Sequence, residues 1–403
     1  MSENELENSQ KVLLKLLENA LKGKTAEPCR IDKDVVKESV FNAVTLLAYD
    51  AAKECECGEK LREQWKKLSS KELYTNIKIN SQHNTLHKIM TENNIRYCVI
   101  KGCSSAWYYP YPEKRAMGDV DFMVHKDDFE AAMLALKNNG FSVAEMEHAC
   151  HKVLKSGDMH FEMHFEPPGI PDGECGEIIR GYLSDIFESC KLSNISDGEF
   201  VKPSDFHHGI ILFLHTYHHM FGEGIGLRHL CDFAVFINRF SDKEFCDLFE
   251  EKLKAVGIWR FVSVMGALSE RFLKIAHKNW FADNEEEFLS LIINDILKGG
   301  NLGKKDKERA VQSMMISQRG KHGISDNRIT TLIKSANNSA YYQFKFLRKH
   351  KFLRSFGFIF LGSRYIFRVM FRNRKKVSVK NMISGSKERR EIYKRFDLYK
   401  DNK

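Results

Sequence analysis

Apolar residues recur at helical spacing through the first ninety residues of the chain. A first stripe on one helix face consists of Val12, Leu13, Leu14, Leu16 and Leu17. A second stripe consists of Val40, Val44, Leu47 and Ala51. A third helix is predicted to begin after the cap candidates Ser69 and Ser70 and to run to Met90. Residues 1–90 are therefore predicted to form a helical N-terminal region.

The pattern changes at residue 96, where short apolar runs bounded by turn residues replace the helical spacing. These runs predict strands at residues 97–101, 118–124, 141–147, 149–155 and 159–165. A helix over residues 127–138 is predicted to be capped by Asp127 and Asp128 and stopped by a left-handed Gly140. The alternation predicts an α+β domain with a mixed sheet over residues 91–170.

Helical periodicity returns after residue 170. The clearest segments are residues 206–220, 227–240, 242–255 and 284–297. We predict a helical domain at residues 171–335 and, at residues 336–403, a basic aromatic C-terminal segment that ends in a frayed polar tail. A chain of 403 residues is long enough for two or three such domains.

Composition adds little to this picture except through charge. With 43% apolar and 29% charged residues the chain is typical of a globular protein. Its ten scattered cysteines and polar N-terminus favour a reducing cytoplasm. The sequence contains no uninterrupted apolar run of about 18 residues, so a membrane-spanning helix is not expected. The net charge of +9 is concentrated at the C-terminus, where residues 341–403 hold 19 Lys/Arg against 4 Asp/Glu.

The Asp-x-Asp sequence at Asp119 and Asp121 is the most informative chemical pattern. Side chains two apart on a strand share one face, so these carboxylates are expected to lie close together. Such a pair is stabilised by a divalent cation, and oxygen-only ligands suit Mg²⁺. Glu162, an acid in a predicted apolar strand, is a candidate third ligand. Three acids around two Mg²⁺ ions would serve phosphoryl-group chemistry.

A Lys-Gly turn upstream is a candidate phosphate site. Lys101 and Gly102 follow a predicted strand, and Ser104 and Ser105 open the next helix. The backbone N–H groups of such a turn can face phosphate oxygens, helped by the helix dipole. This pattern is neither a Walker loop nor a dinucleotide-binding motif, so its weight comes from the Asp-x-Asp that follows.

Four segments together resemble the bacterial nucleotidyltransferase-like family within the polymerase-β-type nucleotidyltransferase superfamily. They are Val-Ile-Lys-Gly at 99–102, Glu-Lys-Arg-Ala-Met-Gly-Asp-Val-Asp-Phe-Met-Val at 113–124, Phe-Glu-Met-His-Phe at 161–165 and Gly-Leu-Arg-His-Leu-Cys-Asp at 226–232. The resemblance covers roughly residues 70 to 370. It implies a polymerase-β-like core with a mixed sheet, flanked by helical regions.

The resemblance also implies an activity, the transfer of a nucleoside monophosphate from an NTP to an acceptor hydroxyl. Its catalytic and metal-binding residues would be Asp119, Asp121 and Glu162, binding two Mg²⁺ ions or Mn²⁺. Its nucleotide-binding residues would be Lys101, Gly102, Ser104, Ser105, Arg115 and Arg228. One departure is that Cys103 follows Gly102 where the superfamily usually has serine.

Other interpretations remain open from the sequence. His215 and His219 are i, i+4 neighbours on a predicted helix, but structural histidines are the commoner case, and a phosphohydrolase would need them to meet Asp232 at one metal. Arg228 and Asp232 could simply form an ion pair. Residues 344–371 of the aromatic, basic C-terminal segment are better explained as a core-packing helix pair with Lys/Arg outward, while residues 372–390 could contact a membrane surface or nucleic acid. A catalytically degenerate binding module is the alternative to an enzyme.

Overall fold

The computed structural model describes residues 6–144, 150–283, 285–306, 308–314, 328–344, 346–347, 350–371 and 379–396. Its helices are α1 (Asn8–Leu21), α2 (Lys33–Phe41), α3 (Thr45–Ala51), α4 (Glu59–Glu92), α5 (Cys103–Ala106), α6 (Phe129–Asn138), α7 (Glu174–Tyr182), α8 (Asp205–Phe221), α9 (Leu227–Ile237), α10 (Asp242–Phe245), α11 (Glu251–Ala255), α12 (Trp259–Leu273), α13 (Glu286–Gly299), α14 (Arg309–Met314), α15 (Arg328–Gln343), α16 (Gly357–Phe371) and α17 (Val379–Phe396). Its strands are β1 (Arg30–Ile31), β2 (Glu56–Cys57), β3 (Tyr97–Val99), β4 (Val120–Val124), β5 (Ser142–Val143), β6 (His151–Ser156), β7 (Met159–His164), β8 (Lys191–Ile195) and β9 (Gly198–Lys202).

The N-terminal helices depart from their predicted pattern in two places. The second predicted stripe does not lie on one helix, because the left-handed Ala43, with φ of 54°, separates α2 from α3. The leucine stripe of α1 is buried against α3, α9 and α12, so this region shares a core with the later helices. Helix α4 begins at Glu59, and the predicted start after Ser69 and Ser70 is wrong. Trp65 is buried in the first turns of α4, and this anchor holds the helix well before the serines.

A five-stranded sheet in the order β3-β4-β7-β6-β5 forms the second core. Only β4 and β7 pair in parallel, so the sheet is mixed, as predicted for the α+β class. The alternate residues Phe122 and Phe161 point toward α4 and α6 and are fully buried there. The intervening residues of β4 and β7 therefore face the other way, toward α8 and α9.

The predicted helix cap at Asp127 and Asp128 is wrong. A short 3₁₀ turn precedes α6, and the Asp128 carboxylate accepts a hydrogen bond from Arg96 Nε at 2.7 Å instead of capping the helix. Gly140 does adopt the predicted left-handed conformation, with φ of 85°.

The prediction of a helical domain over residues 171–335 is wrong at one place. Strands β8 and β9 form an antiparallel hairpin around the left-handed Ser196. The hairpin packs on α4 so closely that a Cβ atom at Gly198 would lie 2.9 Å from the Asn80 carbonyl oxygen. Polar residues dominate its outer face, and this composition hid the strand pattern.

The C-terminal helix α17 is an integral part of the helical core. Tyr393 and Phe396 are buried, and the Arg389 guanidinium donates to the Met220 carbonyl oxygen at 3.0 Å. The predicted frayed tail is therefore wrong for residues 379–396, while residues 372–378 lie outside the described residues. Among the described helices, none is both long and apolar enough to cross a membrane.

His208 on α8 predicts a loss of stability in acid. Burial lowers the pKa of His208 to about 3, and its ring packs between Tyr108 and Phe236. Because the unfolded chain binds this proton near pH 6.5 and the folded chain does not, the free energy of unfolding falls as pH drops below about 6.5. His208→Phe is expected to reduce the loss between pH 6.5 and pH 4 by on the order of 2 kcal/mol in urea denaturation.

The matched control for this change is His277→Gln, since the His277 side chain is 59% exposed and pairs with Glu270. It should leave the slope of stability against pH unchanged. If the free energy of unfolding falls equally in the His208→Phe protein and the wild type between pH 6.5 and pH 4, His208 is not the cause of the loss.

Candidate active site

Two acidic residues lie side by side on the sheet face turned toward α8 and α9. Asp121 on β4 and Glu162 on β7 are register partners in neighbouring parallel strands. His164 lies two residues beyond Glu162 and shares its face. One potential ligand atom from each of these three side chains lies within 4.8 Å of the other two. The sheet register thus brings together residues that are about forty positions apart in sequence.

Asp119 comes immediately before β4 and is half-buried. The Asp121 carboxylate raises the pKa of Asp119 to about 7, and burial and Glu162 act in the same direction. Lys101 and Arg228 oppose this rise without cancelling it. The predicted acids Asp119, Asp121 and Glu162 therefore repel one another, and such a group is stabilised by a cation.

Asp121 is held by two cationic side chains. Lys101 Nζ lies 2.5 Å and His164 Nε2 lies 3.0 Å from its Oδ1 atom. Burial alone would raise the pKa of Asp121, but these two partners hold it well below its usual range. Burial opposes protonation of His164, yet its bond to Asp121, aided by Cys150 and Glu162, raises the pKa of His164 to about 10. Asp121 is thus a fixed carboxylate at neutral pH.

The Lys-Gly turn lies beside Asp119, as its position after β3 predicts. Gly102 has a φ of 55°, and a Cβ atom there would lie 3.7 Å from the Asp119 carbonyl oxygen, so the two backbones run close together. Gly102 precedes the short helix α5. Within it Ser104 is buried and donates its hydroxyl to the Val99 carbonyl oxygen. Ser105 is also buried and lines a small cavity that Lys101 shares.

Arg115 is engaged in a buried ion pair. Its Nε and Nη2 atoms donate to the two carboxylate oxygens of Asp232 at 2.7 and 2.6 Å. The Tyr109 hydroxyl donates to Asp232 at 2.7 Å. The alternative that Arg228 pairs with Asp232 is therefore wrong. Among the described residues Asp232 also belongs to no group of side chains that could share a metal with the α8 histidines.

Arg228, at the start of α9, is the less committed arginine. Its Nη1 atom donates to the Ala116 carbonyl oxygen at 3.3 Å, while its buried Nε atom has no hydrogen-bond partner among the described residues. Burial lowers the pKa of Arg228, and the nearby Asp119 carboxylate partly restores it. Arg228 thus faces the candidate site with unused hydrogen-bonding capacity.

The donor set fits a divalent cation. Asp119, Asp121 and Glu162 supply carboxylate oxygens, which are the ligands that Mg²⁺ prefers. Their mutual repulsion, seen in the raised pKa of Asp119, would be relieved by a positive ion. Sequence reasoning favoured a structural role for His164, although its spacing of two from Glu162 on a strand placed it on the same face.

The fold and the site together define a mixed α/β protein with crowded carboxylates beside a candidate phosphate-binding turn. The chain matches the family model described as uncharacterised nucleotidyltransferase over residues 32–274, and it belongs to this family. The predicted family is thereby confirmed, although the match runs from residue 32 to residue 274 and not from about 70 to 370. The match includes the sheet, the Lys-Gly turn, α8 and α9. No curated protein matches the chain.

Proposed function

We propose that this protein is a Mg²⁺-dependent nucleotidyltransferase that moves a nucleoside monophosphate from an NTP to a hydroxyl group. The pairing of Asp121 with Glu162 in neighbouring parallel strands, with Asp119 two residues before Asp121, carries the proposal. Membership in the family supports nucleotidyl transfer in general. A polymerase-β-like core and a cytoplasmic location are part of the proposal. The acceptor would be a sugar, another small molecule or a protein.

The three acids would hold Mg²⁺, as two ions, or Mn²⁺. When bound, the metal would orient the triphosphate and neutralise charge that develops on the transferred group. Lys101 and His164 would position one of these ligands, because their hydrogen bonds to Oδ1 keep the buried Asp121 carboxylate ionised and fixed.

In the proposed reaction the acceptor oxygen attacks the α-phosphorus of the NTP. The bond from the α-phosphorus to the bridging oxygen breaks, and pyrophosphate leaves. Glu162 is suited to accept the hydroxyl proton, since its side chain is 27% exposed while that of Asp121 is 5% exposed. The backbone N–H groups that follow Gly102, at the start of α5, would face the phosphates of the NTP.

Arg228 is proposed as a phosphate contact. Arg228→Ala is expected to raise the KM for the NTP about 10-fold with a smaller change in kcat, because it removes a charge-assisted hydrogen bond to bound substrate. Steady-state kinetics of pyrophosphate release measure both constants. Arg228→Lys should restore part of the loss, and Arg239→Ala, at an exposed position in the turn that follows α9, is the control. An unchanged KM in Arg228→Ala would remove Arg228 from the substrate site.

The proposed function is tested by offering the protein each labelled NTP with Mg²⁺, with and without a cell lysate as a source of acceptors. Calorimetry measures NTP binding, and pyrophosphate release measures turnover. We expect Mg²⁺-dependent binding of at least one NTP and label transfer to a lysate component. Absence of binding for all four NTPs would favour a catalytically degenerate binding module.

The C-terminal segment is proposed to contact an anionic membrane surface. Residues 341–372 contain eight Lys/Arg and no Asp/Glu, and the Phe352 and Phe356 side chains are 73% and 52% exposed. Exposed aromatic and basic residues together favour an interface with anionic lipid. The protein is expected to sediment with anionic vesicles and not with neutral ones, and Phe352→Ser/Phe356→Ser should weaken this. Binding to RNA with no vesicle binding would identify nucleic acid as the partner instead.

A further inference from the structure

Three histidines from adjacent helices face one another across the cleft from the acidic residues. His215 and His219 lie one turn apart on α8, and His229 lies in the first turn of α9. One ring nitrogen of each lies within 4.8 Å of the other two. The ring centroids are 4.4, 5.5 and 5.8 Å apart. Three imidazoles around one tetrahedral ion with Zn–N near 2.1 Å would have centroids about 5 Å apart.

We propose that His215, His219 and His229 form a binding site for one transition-metal ion such as Zn²⁺, separate from the carboxylate site. Neither family membership nor the proposed transfer reaction assigns a role to these three rings. The inference rests on their mutual geometry and does not depend on the proposed function. His229 is the ligand that sequence reasoning did not supply, because only the packing of α9 on α8 brings it to the pair.

The rings are available for a metal. Burial lowers the pKa of His215 and His229 well below 6.5, so both are neutral at pH 7, and neutral imidazole is the form that binds metals. The buried His215 Nδ1 atom has no hydrogen-bond partner in the part of the chain that the structure describes. His229 Nδ1 accepts a long hydrogen bond, 3.4 Å, from the Gly226 N–H. A metal at Nε2 would require the ring proton on Nδ1, so this weak hydrogen bond would be lost on metal binding.

The scaffold around the rings is rigid. A Cβ atom at Gly226 would lie 2.7 Å from the Asn301 backbone, so the turn into α9 is fixed by close contact. Gly224, with φ of 98°, packs against the Arg309 side chain in the same turn. Glu223 Oε2 lies 3.9 Å from His219 Nδ1, where a carboxylate can orient a metal-bound ring. These contacts hold α8 and α9 in the arrangement that brings the three rings together.

The donor chemistry selects the kind of ion. An all-imidazole set favours Zn²⁺, Co²⁺, Ni²⁺ or Cu²⁺ over Mg²⁺, whereas the carboxylates across the cleft favour Mg²⁺. A cavity of about 20 Å³, lined in part by His215, His229 and Lys101, leaves room for one water-sized fourth ligand. Lys101, Arg115 and Arg228 also line this cavity. Asp121 pairs with Lys101, Asp232 pairs with Arg115, and Asp119 and Asp232 lie near Arg228, so these carboxylates offset the positive charge that would otherwise exclude a cation from the histidines.

Titration of the chelator-treated full-length protein with Co²⁺, followed by visible absorption and by competition with Zn²⁺, tests the site. Excess Mg²⁺ is present throughout so that the carboxylates are occupied, and we then expect one Co²⁺ ion per chain with the intense absorption of tetrahedral Co²⁺. His219→Gln, at a half-buried position that tolerates change, should weaken binding at least about 100-fold. His277→Gln is the matched control and should bind like the wild type, as should Asp119→Asn.

The titration has two outcomes that would overturn the proposal. One is the absence of stoichiometric Co²⁺ binding by the wild type. The other is binding that His219→Gln retains and Asp119→Asn loses, which would locate the ion at the carboxylates. X-ray absorption of the wild-type zinc complex counts the imidazole ligands without any variant, and fewer than three would also contradict the site. The titration requires no NTP turnover. It therefore tests the histidine site even if the protein does not catalyse the proposed transfer reaction.

Discussion

Asp119→Asn is expected to reduce Mg²⁺-dependent pyrophosphate release at least about 1000-fold while making the metal-free protein more stable. Asp119 is crowded by Asp121 and Glu162, so its ionised form is disfavoured in the folded chain. The amide keeps the shape of the side chain and removes that repulsion. In EDTA at pH 8 the melting temperature should rise by about 2 °C, measured by calorimetry.

A surface acid near the same strand provides the control. The Asp127 side chain is 68% exposed, and Asp127→Asn should change neither turnover nor the melting temperature. Mg²⁺ should raise the melting temperature of the wild type and of Asp127→Asn but not that of Asp119→Asn. If Asp119→Asn keeps its turnover, or if it is less stable than the wild type in EDTA, Asp119 does not belong to the proposed metal site.

The acids of the candidate site could be predicted because strand geometry is local. An Asp-x-Asp pair on a strand shares one face wherever the strand lies, and Glu162 drew notice as an acid among apolar neighbours. That Glu162 stands beside Asp121 depends on the pairing of β4 with β7, which no local pattern encodes. The catalytic and nucleotide-binding roles of these residues stay predictions until turnover is measured.

The parts of the structure that sequence reasoning missed depend on contacts between distant residues. Arg115 and Asp232 are separated by 117 positions, while Arg228 and Asp232 are a visible i, i+4 pair, so the local pattern favoured the wrong partner. The hairpin of β8 and β9 is polar and rests on α4, and α17 is basic yet inserts Tyr393 into the core. In each case tertiary packing outweighed composition.

Asp232→Asn is expected to lower the free energy of unfolding by about 3–5 kcal/mol, because it breaks a buried ion pair from one side. Asp232 is buried and accepts two bonds from Arg115 and one from Tyr109. The amide leaves the Arg115 guanidinium charged, buried and unmatched, and this penalty exceeds the value of the lost hydrogen bonds. Urea denaturation at pH 7 measures the change.

A double variant separates the structural role of Arg115 from its predicted nucleotide contact. Arg115→Met/Asp232→Leu removes both charges, so it should recover much of the stability that either single variant loses. Glu27→Gln is the surface control, since the Glu27 side chain is 84% exposed and its solvated pair with Lys15 should contribute little to stability. If Arg115→Met instead unfolds like the wild type but binds no NTP, the guanidinium must leave Asp232 to meet substrate.

A large coupling energy between positions 115 and 232 would have the opposite meaning. The ion pair would then be a fixed support that holds α9, and with it Arg228, against the sheet.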